Sequence, residues 1–436
     1  MKTDSLLIKI QFLTILPTIF FLSIYNKDTS ILTTFLLIAL LLILGLNVKN
    51  YWNKKPIINY STLLLLVLSY FLFAFNLLGS SKTPITYNVF NKQNPIASIQ
   101  LNKTENIDEV CYYFGINKNV RFYLEYKNHN KWTKFYSHKE NFPFSFQWSC
   151  NEINTTKIEK VQLIVTKGQM MLSELRFRKD GRDVNFTSDK SKIYDEREIE
   201  VKTDYYNGMF FDEIYHGRTA YEIMRDIPVY ENTHPYLGKI LIIPGIKLFG
   251  MTPFGWRFTN VIFGALFIVV AYFLGLQLFK KQIYGFIASF LITYSFMHLT
   301  EARMALIDTF GVLFVFSSYL FLYYFIIKQK LKWLLLSGLF FGLASAVKWS
   351  AVFAALGFML IAFYLLISKY PMKKKFSGYR LILYGLLSYG FLALTVYTLT
   401  FYDIYLKTGS FQSIVDYQIN MFSYHSNLVS QHPYSS

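Results

Sequence analysis

Charge is scarce in this 436-residue chain. Only 16% of residues are Asp, Glu, Lys or Arg, against 53% hydrophobic and 19% aromatic, a balance that excludes an ordinary soluble protein. Cysteine is nearly absent, and Cys111 and Cys150 allow a single disulfide between them; the sequence leaves open whether it forms. No His/Cys cluster with ligand spacing appears, so no metal is expected, although the pair Asp212-Glu213 does not exclude a divalent cation. Acidic residues are also in deficit, 27 against 44 Lys and Arg, leaving a net charge of +17. Such an excess ordinarily points to nucleic acid or another anionic partner. Its placement along the chain argues for a different partner, the lipid bilayer. No internal repeat is present.

What is abundant comes in runs. "ILTTFLLIALLLILGL" (31–46) and "STLLLLVLSYFLFAFNLLG" (61–79) approach the roughly 20 apolar residues that span a bilayer. Candidate spans fall at 6–25, 31–48, 61–79, 255–279, 283–300, 304–327, 333–347, 350–367 and 381–401. The first has no small-residue cleavage site and reads as retained rather than as a signal peptide. With the N-terminus cytoplasmic, Lys49, Lys54, Lys55, Lys280, Lys281, Lys328, Lys330, Lys332, Lys369, Lys373, Lys374, Lys375 and Arg380 all fall on one side, as the positive-inside rule requires. Residues 80–254 and the tail from about 402 are then extracytoplasmic. "KILIIPGIKLFG" (239–250) is too short to span comfortably and reads as an interfacial or re-entrant helix.

Three parts follow: three spans over 1–79, a β domain over 80–200, and a region of further spans with an acidic outer loop over 201–436. In the β domain, "NVRFYLEYKN" and "KVQLIVTKG" alternate apolar and polar residues, and "KDG" (179–181) marks a turn, which predicts an antiparallel sandwich. "LSELRFRKDGRD" (172–183) resembles the closing strand-turn of discoidin-like, galactose-binding-type sandwiches; a spacer and a carbohydrate-binding module are both open. In "SGLFFGLASA", Gly338, Gly342 and Ala346 form a small-residue face for close helix contact. The fold class expected is a mainly α multi-pass membrane protein with an inserted extracytoplasmic β-sandwich.

Ionisable groups on or beside spans are costly and mark function more often than decoration. Arg257 opens a span, Arg303 and Asp308 lie in "EARMALIDTF", and Lys348 lies in "SAVKWSA", all at outer ends. They accompany Asp212 and Glu213 of "FFDEIYHGRTAYE" and His234 of "HPYLGK". Each has a plain alternative: Arg257 beside Trp256 as an interfacial anchor, Arg303 with Asp308 as a structural pair, Lys348 as a snorkelling cation, the two acids as first-turn helix residues, His234 as a turn residue. Together they suit transfer of a sugar from a lipid phosphate. The leaving group is already a stabilised anion and needs cations, while the acceptor hydroxyl needs a carboxylate base. A single displacement with base and leaving group on opposite faces inverts the anomeric carbon.

In order, "FFDEIYHGRTAYE", "HPYLGK", "LFGMTPFGWRFTNVIFGAL", "EARMALIDTF", "AVKWSA" and the tail "YQINMFSYHSNLVSQHPYSS" (417–436) resemble successive motifs of the protein O-mannosyltransferases, membrane-embedded GT-C glycosyltransferases. The resemblance covers about 205–436. It implies inverting transfer of mannose from a polyprenyl-phosphate donor to Ser or Thr of exported proteins. It also implies Asp212 as base with Glu213 its essential neighbour, Arg257 and Lys348 near the lipid phosphate, His234, Arg303 and Asp308 shaping the pocket, and Tyr424 and His425 in a later active-site loop. The usual "HPP" reads "HPY" with Tyr236, Ala302 precedes Arg303 where serine is usual, and the chain stops at "HPYSS" where relatives continue into further spans. A glycolipid or cell-wall polymer as acceptor is a neighbouring alternative. A non-catalytic glycan-binding or lipid-sugar translocating protein is a more distant one.

Overall fold

In the computed structural model, residues 61–128, 131–139, 144–155, 157–367 and 378–429 are described, with isolated positions between 38 and 49. The expected span 6–25 and most of 31–48 lie outside the described residues, as does the end of the tail beyond 429. The chain forms two compact units. One holds the chain up to Leu77, Pro228–Ile243 and the residues from Arg257 on; the other holds Leu78–Ile227 and Pro244–Trp256.

The first unit is helical, and its helices follow the apolar runs. They are α1 (Ser61–Phe75), then, beyond the other unit's α2 (Glu213–Met224), α3 (Leu237–Phe249), α4 (Pro253–Phe279), α5 (Gln282–Thr293), α6 (Phe296–Ala302), α7 (Asp308–Lys328), α8 (Leu331–Val347) and α9 (Ala354–Ile367). α10 (378–399), α11 (Tyr402–Thr408) and α12 (Phe411–Ser426) complete the described chain. The helices α3 and α4 pass from one unit into the other. Among the described residues, α4, α7 and α10 are each long and apolar enough to cross a membrane. The expected single span 283–300 is instead broken: α5 and α6 meet at 62°, and Ser295 caps α6 by accepting a hydrogen bond from His298 N. A serine that satisfies the first amides of a new helix favours a restart over continuation. At 13 residues, α3 spans about 20 Å, short of the roughly 30 Å hydrocarbon core.

Small residues set the packing of α8 on α10. A Cβ added to Gly338 would sit 2.2 Å from Ser388 O, and one on Gly342 2.8 Å from Ala393 Cα, so the backbones meet where the small-residue face was expected. Polar bonds reinforce the seam: Ser337 Oγ donates to Ser318 O of α7 at 2.7 Å and lies 2.6 Å from Tyr389 OH.

The second unit is built on strands β1 (Asn88–Phe90), β2 (Ile96–Glu105), β3 (Glu109–Asn128), β4 (Lys131–Lys139), β5 (Gln147–Glu152), β6 (Ile158–Lys179), β7 (Arg182–Val184) and β8 (Phe186–Ser188). All pairings are antiparallel, and "KDG" forms the β6–β7 turn with Asp180 and Gly181 at positive φ. The sequence predicts a sandwich, yet hydrogen bonding runs through one eight-stranded sheet. The reason is the length of β3 and β6, which pair from Glu109↔Arg178 to Tyr126↔Val161 across several register shifts. One end of this ribbon takes β5, β1 and β7; the other takes β4 and β2. Side chains from both ends, including Val110, Phe114, Phe122, Leu163, Leu175 and Phe177, bury into one core, so the sheet closes over itself. Cys111 and Cys150 face each other across β3 and β5 and form a disulfide.

Candidate active site

The sheet unit carries the acidic motif. Asp212 precedes α2, its carbonyl accepts from Tyr215 N and His216 N at 3.0 Å, and its side chain is half-buried without capping the helix. Glu213 is fully buried, and its Oε2 accepts from Phe210 N at 2.9 Å. Between them and the loop, Phe211 sits at φ 52°, a left-handed conformation costly for a bulky side chain. The Glu213 bond braces this turn.

α2 is fastened to the sheet by Arg218. Its Nε pairs with Glu222 Oε1 at 2.8 Å, Nη2 donates to Asn117 O at 2.8 Å and Nη1 to Ser145 Oγ at 3.3 Å, with Arg218 and Glu222 both almost wholly buried. Tyr221 adds an edge-on ring contact with Phe146. The acidic turn therefore belongs to the same compact unit as the sheet.

The helical unit gathers the other polar groups around the turn before α3. Glu231 Oε1 accepts from Thr233 N at 2.6 Å and lies 3.2 Å from His234 Nδ1. Lys239, fully buried on the first turn of α3, forms an ion pair with Glu231 and donates to Glu231 O at 3.0 Å and His234 O at 2.9 Å. From α12, Tyr417 OH donates to His234 O at 3.1 Å, and His425 Nε2 lies 2.8 Å from Thr233 O. Burial, then the neighbouring Tyr236 and Glu231, pushes the Tyr417 phenol up, so it serves as a neutral donor.

Two pairs of expected site residues meet directly. The His234 and His425 rings lie edge-on, 5.5 Å apart, and Lys348 Nζ bonds Asp308 Oδ1 at 2.8 Å with both side chains substantially exposed. Trp349, next to Lys348, connects the pairs: its ring lies 6.4 Å from His425, and its Nε1 donates to Tyr397 OH, which donates on to Gln418 Oε1. Tyr424 is half-exposed beside His425. Arg257 is fully buried on α4, one turn before Asn260, which donates to Leu306 O. Arg303 reaches Asn76 O at 2.6 Å and Leu77 O at 2.9 Å, where a cation meets the last carbonyls beyond α1.

Sequence reading missed Glu231, Thr233, Lys239 and Tyr417. The available signal was Lys239 itself, a lysine opening an apolar helix eight residues after Glu231, a pairing that requires a fold-back through "NTHP".

Residues 233–398 match the family model described as dolichyl-phosphate-mannose-protein mannosyltransferase. Similar relatives are polyprenol-phosphate-mannose–protein mannosyltransferases: 27% identity to that of Mycobacterium tuberculosis over 35% of each chain, 26% to that of Mycolicibacterium smegmatis over 34% of each, and 29% to that of Corynebacterium glutamicum over 33% of each. A solved structure, the Saccharomyces cerevisiae protein O-mannosyltransferase Pmt1-Pmt2 complex bound to the sugar donor, is 21% identical over 47% of this chain and 30% of that one, with a TM-score of 0.40. The resemblance to the protein O-mannosyltransferase family is thus shown over residues 233–398. The chain spans about a third of the length of the curated relatives it matches. His234, Arg257, Arg303, Asp308 and Lys348 lie inside the matched segment; Asp212, Glu213, Tyr424 and His425 lie outside it.

Proposed function

We propose that this protein transfers mannose from a polyprenyl-phosphate carrier to Ser or Thr hydroxyls of exported proteins, with inversion, on the outer face of the cell membrane. The observation that carries this reading is the family match over 233–398, the segment that holds His234, Lys239, Asp308 and Lys348. The names of the curated relatives support the same donor class and a protein acceptor.

In this reading Asp212 takes the proton of the acceptor hydroxyl as its oxygen bonds to the anomeric carbon. The bond from that carbon to the phosphate oxygen breaks, and the phosphate leaves with the electron pair. Glu213 acts as a positioning residue, since its carboxylate braces the turn that presents Asp212. Lys348, held by Asp308, and Arg257 stabilise the phosphate, the role preorganised cations serve for developing charge. His234 and His425, fixed through Thr233, Glu231 and Tyr417, shape the sugar pocket. No step uses a metal. The helices lie as a multi-pass bundle with the N-terminus cytoplasmic, and the folded-over sheet serves as an extracytoplasmic sandwich-like module. The test is the product. Mannose on a Ser/Thr peptide, with an anomeric configuration opposite to the donor's, is expected; retention, or label only on lipid or polymer, would overturn the reading.

A further inference from the structure

The sheet unit contains a cleft of about 320 Å³ that ends two residues before Asp212. Its one wall is β5, through Gln147, Trp148 and Ser149; its other is the loop from Lys202 to Phe210, with Phe144 at the mouth. The loop lies hard against the strand, because Met209 N donates to Phe146 O and a Cβ on Gly208 would sit 2.7 Å from Gln147 Cβ. Tyr205 and Phe210 meet edge-on at 6.1 Å and form a fixed aromatic corner.

The chemistry of the lining narrows the ligand. The rim charges are already partnered: Lys202 pairs with Glu200 at 2.8 Å, and Asp204 accepts from the backbone N and side-chain amide of Asn207. An uncharged ligand fits such a lining better than an acidic or basic one. Trp148 is only 5% exposed and packs edge-on against Tyr113, so it presents no open indole face to stack on a sugar ring. β5 pairs with β3 alone among the described residues, so it is an edge strand whose outer side can accept an extended backbone. Beyond Phe210 the chain reaches Asp212 in two residues, at most about 7 Å of backbone.

We propose that this cleft is the acceptor subsite: it takes an extended, uncharged, Ser/Thr-bearing polypeptide segment beside β5 and directs its hydroxyl toward Asp212. This rests on the proposed mannosyl transfer and names the part of the molecule that selects a polypeptide. The inserted sheet unit then sets acceptor choice.

The test uses the full chain in membranes, a Ser/Thr/Pro/Ala peptide carrying a photoreactive residue, and two variants, Thr203→Trp, which fills the cleft from an exposed position, and Tyr205→Ala. Cross-links are expected within 144–149 and 202–210 and should fall in both variants. The KM for peptide should rise about tenfold, the scale of losing one aromatic contact at an interface, with the KM for polyprenyl-phosphate-mannose unchanged. Cross-links elsewhere, or an unchanged peptide KM in both variants while the native chain mannosylates the peptide, would overturn the cleft and leave the transferase reading intact. Cross-linking in the cleft without transfer to the peptide would support the subsite and count against the transferase reading.

Discussion

Arg218→Met tests how the acidic turn is held. Arg218 and Glu222 are 3% and 1% exposed, so removing the guanidinium leaves a buried carboxylate uncompensated and strips donors from Asn117 O and Ser145 Oγ. Breaking a buried pair by removing one partner costs about 3–5 kcal/mol, most of it from the stranded charge. The loss falls on the attachment of α2 to the sheet, so hydrogen exchange at the amides of 213–224 should accelerate by about 10² to 10⁴-fold, read by mass spectrometry of the full chain in detergent. The double variant Arg218→Met/Glu222→Leu removes both charges and should recover most of that protection, since an apolar pair of similar volume replaces a buried ion pair at little net cost. Turnover in Arg218→Met should fall with the donor KM unchanged, because α2 carries Asp212 before its first turn. A change in exchange of less than about fivefold in the single variant, about 1 kcal/mol, or a double variant no better protected than the single, would refute this role for Arg218.

Other expectations follow from the same geometry. Cys111→Ser with Cys150→Ser opens a loop of sequence separation 39, for which chain entropy gives about 4 kcal/mol; thermal unfolding of the sheet unit should move well down, and an unchanged midpoint would count against a formed bridge. Lys239→Met strands Glu231, and loss of protection at 231–240 is expected with a raised donor KM, measured by exchange and steady-state kinetics. Burial, offset in part by Arg176, pushes the Glu174 carboxyl up from 4.5 to about 7. Between those values the unfolded chain holds fewer protons than the folded one, so stability should fall as pH rises from about 4.5 to about 7 and level off above. Glu174→Gln should flatten that slope in a pH series of melting temperatures.

Much of the fold was legible because apolar runs and alternation depend on local spacing. The spans from 61 onward correspond to helices, and Gly338 and Gly342 lie where backbones meet. The break at Tyr294 was not legible as a stop, since hydropathy continues through it and only Ser295 betrays the new cap. The single folded-over sheet was missed for a related reason: alternation identifies strands but not that β3 and β6 are long enough to serve two sets of partners. In the site, Asp308 and Lys348, singled out for their charge and position, come together, and His234 meets His425, which only the family resemblance named. Glu231 and Tyr417 were silent because each pairs through turn-dependent or long-range contacts that no spacing rule describes, and Lys239 signalled only as a lysine opening an apolar helix, not by its partner. Arg303 shows the reverse: a cation beside a span whose described bonds brace the carbonyls after a helix.

The central claim is that Asp212 is the base of a mannosyl transfer to protein. Membranes containing the full chain, supplied with polyprenyl-phosphate-mannose labelled in the sugar and a Ser/Thr peptide, should label the peptide. Asp212→Asn should abolish that label by at least about 10²-fold, the scale of general-base catalysis, while leaving donor binding in place. Peptide label that persists in Asp212→Asn at the native rate would contradict the account.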